Sequence, residues 1–116
     1  MLNLSLIFKC LLLITLIVVS YLVFSKPTYS QGIPHIDKIG HLGSFFALSL
    51  LAHLAFKPKW IYLLLGLCLY AGLIEVVQSY LPYRSASWAD FAADILGIVI
   101  FYIGLYIKRT FITDRK

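Results

Sequence analysis

Charge is what this sequence has least of. Of its 116 residues only 13% are charged, and five of them are acidic. Soluble domains carry about 25% charged residues, and so small a chain cannot hide this much apolar surface in one core. A soluble globular domain is therefore excluded. Cysteine is scarce too: Cys10 and Cys68 fall in different apolar runs, with no Cys-x-x-Cys or Cys/His cluster to suggest zinc. Two isolated thiols are the expected state. The seven glycines form no glycine-rich phosphate loop, and no stretch is long enough for a nucleotide-docking domain. The formal net charge of +5 comes from residues clustered at the ends of apolar segments. It marks membrane topology rather than a nucleic-acid partner.

What the chain has instead is hydrocarbon: 61% of residues are hydrophobic and the mean hydropathy is +0.91. Four apolar runs, Leu4–Phe24, Ile39–Phe56, Trp60–Leu81 and Trp88–Ile107, take up most of the sequence. Each approaches the roughly 20 residues a helix needs to cross about 30 Å of hydrocarbon. The expected fold is all-α: a four-helix transmembrane bundle forming a single membrane domain over residues 1–116. Lys9 followed by Cys10–Val19, with Val18-Val19-Ser20 behind, imitates a signal peptide. The run continues to Phe24, longer than a usual signal core, so it is read as a retained first helix.

Loop charges orient the bundle. With four crossings, the N-terminus, the Phe56–Trp60 turn and the C-terminal tail share one side. That side holds Lys57, Lys59, Lys108, Arg109, Arg115 and Lys116, with Lys9 able to snorkel towards it. The opposite side holds Lys26, Lys38 and Arg84. The positive-inside rule then places both termini in the cytoplasm. Trp60, Tyr62, Tyr80, Tyr83, Trp88 and Tyr106 lie near helix ends, as interfacial aromatic belts require.

Against that apolar background a few polar residues stand out. In order they read Asp37-Lys38-x-x-His41, Glu75-x-x-Gln78, and Arg84-x-x-Ser87-x-x-Asp90-x-x-x-Asp94. A carboxylate at membrane depth is expensive and rarely faces lipid. Glu75 lies six residues before Leu81, about 9 Å below the end of its helix. The orientation puts all of these groups in the outer third of the bilayer or at its outer surface. Spacing puts Cys68, Ala71, Gly72, Glu75, Gln78 and Ser79 on one face of the third helix. Asp90, Ala93, Asp94, Gly97, Phe101 and Gly104 share a face of the fourth. Small residues on both faces allow close helix packing in lipid, so the carboxylates are expected to point into the bundle. Pro82 should stop the third helix. Ser87-x-x-Asp90 resembles a capping box for the fourth, with Asp in place of Glu. A purely structural role for Asp90, capping and pairing with Arg84, competes with a functional one. His53, near the cytoplasmic end, and His35, in the outer loop, are read as structural and solvated respectively.

Taken together, Asp37-Lys38-x-x-His41-x-x-x-Phe45-Phe46, Glu75-x-x-Gln78, Arg84, Ser87 with Phe91, and Asp94-x-x-Gly97 resemble the VanZ-like family of small bacterial membrane proteins. The likeness runs from about Asp37 to Gly104. It implies a multi-pass protein of the bacterial plasma membrane and cell envelope. The founding member is associated with resistance to the glycopeptide teicoplanin. The family commonly carries Asn where this chain has Asp94, so one more potential charge is present here.

The candidate binding cluster is Asp37, Lys38, His41, Glu75, Gln78, Arg84, Ser87, Asp90 and Asp94. The favoured role is binding or processing a membrane lipid or lipid-linked cell-wall intermediate at the outer face. Lys38 and Arg84 would meet a phosphate, and Glu75 and His41 would handle protons. No Ser or Cys has a clear activating base, so covalent catalysis is not suggested, and whether the protein is an enzyme stays open. No cofactor is expected. A metal held by Glu75, Asp90, Asp94 and His41 is set aside, because the separations in sequence are long and no compact ligand motif exists. The alternative role is a structural subunit of an envelope complex, homo- or hetero-oligomeric, whose charges pin the outer helix ends together. A small proton-coupled exporter fits least, since the first helix offers only Lys9 and the polar site lies away from the midplane.

Overall fold

The computed structural model describes residues 3–25, 36–82 and 87–112, the side chains of Ile36 and Asp37 excepted. Of the residues weighed above, Lys26, His35, Tyr83, Arg84, Arg115, Lys116 and the side chain of Asp37 lie outside the described residues. Four helices follow one another: α1 Leu4–Phe24, α2 Ile36–Phe56, α3 Trp60–Ser79 and α4 Trp88–Phe111. All four are long and apolar enough to cross a membrane. Even the shortest, of 20 residues, spans about 30 Å at 1.5 Å per residue. The described residues contain no strand.

The helix ends follow local chemistry more than hydropathy. Asn3 caps α1, its side chain accepting the Ser5 N–H at 2.9 Å. α2 is described from Ile36, three residues before the apolar run. α3 stops two residues short of Leu81. There Tyr80 N–H bonds Val77 O at 3.0 Å and Leu81 N–H bonds Gln78 O at 3.1 Å, tightening the last turn ahead of Pro82. α4 outruns Ile107 as far as Phe111, carrying Lys108 and Arg109 in its last turn, where cations suit the helix dipole. Between α2 and α3 the chain reverses through Lys57, in the left-handed region at φ 49. Its N–H closes α2 on His53 O at 2.9 Å, and Pro58 prevents continuation.

α2 packs most extensively on α4, then on α1, whereas α3 meets α4 over a smaller area. Gly97 is why α2 and α4 come so close. A methyl group there would collide with the Leu42 carbonyl and stand 3.0 Å from the Phe46 backbone nitrogen. Phe45, Leu63, Ala71, Ile74 and Ile98 form the apolar core. α1 buries only Val19 but is held by polar pins. The Ser5 hydroxyl donates to Ala55 O at 3.0 Å, and the Ser20 and Tyr70 hydroxyls meet at 2.6 Å. The outward faces carry large apolar side chains, Leu69 being 79% exposed, which suits lipid and not water.

Two positions depart from the expected packing faces. Ser79 is exposed and turns its hydroxyl onto Val76 O of its own helix at 2.6 Å. Gly104 is exposed, and a methyl group added there would meet nothing within 4 Å, so it brings no helix closer. Cys10 and Cys68 are free, as expected. Lys9 reaches the opposite end of α2, its ammonium 5.2 Å from the centre of the Phe56 ring.

Candidate functional site

The start of α2, the last turns of α3 and the start of α4 meet at one end of the bundle, and they bring most of the expected polar residues together. α4 opens at Ser87, whose hydroxyl accepts the Asp90 N–H at 3.0 Å. In a capping box the residue at Asp90 would return the favour to the Ser87 N–H. Here Glu75 of α3 does so instead, its Oε1 accepting that N–H at 3.0 Å. The longer reach from another helix replaces the short Asp side chain. That leaves the Asp90 carboxylate free to face α2.

Across the seam, Lys38 Nζ stands 3.5 Å from Asp90 Oδ1. One turn along, His41 Nδ1 lies 2.7 Å from Asp94 Oδ1, while His41 Nε2 is 3.9 Å from Asp90 Oδ2. Asp90 is therefore paired with Lys38; its expected partner Arg84 lies outside the described residues. His41 is 5% exposed, Asp90 3% and Asp94 0%. An ionised carboxylate can only accept, so Nδ1–H donates to Asp94, which fixes the ring and leaves a lone pair on Nε2 in the neutral imidazole. His41, Glu75 and Asp90 each offer one ligand atom, all within 4.8 Å of one another.

Gln78 is buried but does not join this cluster. Its amide Nε2 donates to Val23 O at 2.7 Å, satisfying a carbonyl in the last turn of α1 that has no partner in its own helix. It is a pin between helices. Beside the cluster a lateral groove of about 500 Å³ opens between α3 and α4, lined by Gly72, Glu75, Val76, Ser79, Ser87, Trp88 and Phe91.

A family model described as VanZ/LLP1 matches residues 2–109. The chain belongs to the VanZ/LLP1 family. The match takes in all of α1–α3 and nearly all of α4, so the cluster and its groove lie wholly within the VanZ/LLP1 region. With four membrane-capable helices, this VanZ/LLP1 chain is a multi-pass membrane protein. No curated protein matches it, and no solved structure does.

Sequence reasoning alone missed the groove of this VanZ/LLP1 protein. Trp88 reads as an interfacial aromatic and Gly72 as a packing residue, yet both line the groove. A groove is where two helices fail to touch, and periodicity reports only which residues could. The Glu75–Ser87 bond was equally hidden, since it uses a backbone N–H that every residue but proline possesses. His53, read as structural, packs its ring 5.6 Å from that of Phe101.

Proposed function

We propose that this protein binds a membrane lipid or lipid-linked cell-wall intermediate. Its apolar portion would lie in the α3–α4 groove, and its head group against the charged cluster at the groove's rim. The carrying observation is the continuity of the two. Glu75 and Ser87 line the groove and belong to the hydrogen-bonded framework of the cluster. An amphiphile needs this combination: a long apolar slot beside a few placed polar groups. Lys38, with 35% of its side chain exposed, supplies a cation to a phosphate at the mouth. His41, oriented by Asp94, and Glu75 are the groups suited to moving a proton. In this reading the protein lies in the bacterial plasma membrane with both termini in the cytoplasm, and the cluster near the outer face. An altered response to glycopeptides such as teicoplanin is the phenotype to expect.

The test is lipid mass spectrometry of the protein purified in mild detergent. One lipid class should be enriched over bulk membrane. Gly72→Leu, which fills the groove from a position where a methyl meets only Phe91 at 3.9 Å, should cut that enrichment about tenfold, roughly 1.4 kcal/mol of binding. Absence of enrichment, or full retention in Gly72→Leu, sinks the reading.

A structural role is the second reading. It is favoured because Lys38–Asp90, His41–Asp94 and Gln78–Val23 each join two different helices. Under it, Lys38→Glu combined with Asp90→Lys should restore function that either change alone removes.

A further inference from the structure

We infer that His41, Glu75 and Asp90 form a binding site for one divalent transition-metal ion, with Asp94 as the group that orients the histidine. The long sequence separations that argue against a metal vanish once three helix ends converge. One ligand atom from each residue lies within 4.8 Å of the others. An ion bound at about 2.0–2.2 Å from nitrogen and oxygen ligands needs them about 3.0–4.3 Å apart. Side-chain shifts of under about an ångström close that difference.

Three further observations point the same way. First, the distance between His41 Nε2 and Asp90 Oδ2 is 3.9 Å. This is too long for a hydrogen bond and fits two ligands sharing one ion. Second, His41 Nδ1 is held by Asp94 at 2.7 Å. That is the carboxylate–histidine arrangement that fixes the tautomer of a metal-binding imidazole and raises its basicity. Third, Glu75 Oε2 is shut off from solvent yet forms no hydrogen bond among the described residues, and the buried Asp90 meets Lys38 only at 3.5 Å, through Oδ1. Buried carboxylate oxygens left this way are costly unless enough positive charge meets them.

Charge supports the assignment. With His41 neutral, the ionised carboxylates of the ligand set, Glu75 and Asp90, carry two negative charges, which one divalent ion balances. One imidazole with two carboxylates suits zinc, manganese or iron better than calcium or magnesium, which prefer oxygen alone. Three protein ligands leave at least one position open on the ion. The inference does not depend on the lipid reading: the ion can bind whether or not the groove is filled.

Cobalt(II) is the probe, because its visible absorption reports coordination directly. The full-length protein, carrying no oligohistidine tag, is stripped with chelator in detergent and titrated with Co²⁺. Saturation near one ion per chain is expected, with bands of a four- or five-coordinate nitrogen–oxygen site, displaced by Zn²⁺ and not by excess Mg²⁺. Glu75→Gln and Asp90→Asn should each weaken binding at least tenfold. Asp94→Asn, outside the ligand set, should weaken it about 10- to 100-fold with the stoichiometry unchanged. Helical circular dichroism and a single gel-filtration peak establish that each variant is folded. Wild-type protein that gives only the octahedral spectrum of hydrated Co²⁺ overturns the inference. So does binding left unchanged in Glu75→Gln and Asp90→Asn.

Discussion

α4 meets its two main neighbours in opposite ways. Its seam with α2 is closed: Gly97 brings the backbones together, and Asp90 and Asp94 are buried against Lys38 and His41. Its seam with α3 is open at both ends. One groove of about 500 Å³ lies beside Glu75 and Ser87. Another of about 510 Å³, at the far end, is lined by Trp60, Leu64, Tyr102 and Arg109 among others. The closed seam can hold charged groups in fixed relation, because a charge in lipid is tolerable only where partners surround it. The open seam can admit an apolar molecule. One helix thus borders both a closed, charge-bearing seam and an open one.

The largest effect should come from prying the closed seam apart. Gly97→Ala forces a methyl into the Leu42 carbonyl, and backbone cannot yield as a side chain can. A loss of about 3 kcal/mol is expected, at or beyond the upper range for overpacking, read as a lower Tm in detergent. Next comes Asp94→Ala, which strips the buried His41 of its partner and leaves a cavity, costing about 2–3 kcal/mol. Asp94→Asn keeps shape and an acceptor, and should cost less than half as much in the same melt. Gln78→Ala frees the Val23 carbonyl from its bond. Interhelical hydrogen bonds in membranes contribute about 0.6–2 kcal/mol, so a shift of that order should appear in chemical denaturation. The smallest effect sharpens the contrast. Gly72→Ala, on the open seam, meets only Phe91 at 3.9 Å and should be neutral or stabilising by up to about 1 kcal/mol. If Gly97→Ala and Gly72→Ala melted alike, the distinction between the seams would fail.

The helices were legible from residue order because a bilayer imposes one length and one composition on anything that crosses it. Their ends were less so: Ile36 and Lys108 belong to helices although they lie outside the apolar runs. Hydropathy marks where hydrocarbon ends, while a helix stops where its caps and prolines say. The convergence of His41, Glu75, Asp90 and Asp94 followed from helix spacing and alternating direction. The pairing within it did not. Spacing places Asp90 and Asp94 on one face, but their division between Lys38 and His41 depends on the crossing of α2 and α4. The bond of Gln78 was hidden for a related reason. An amide beside a carboxylate looks like part of the same site, and only the position of α1 shows that its Nε2 donates to Val23 O.

The bond from Glu75 to the Ser87 N–H makes one carboxylate answerable to two structures. It borders the groove, and it holds the amide at which the fourth helix begins. A guest that engaged Glu75 through Oε2 could leave that tether intact, whereas one that drew Oε1 away would be felt at the first turn of α4.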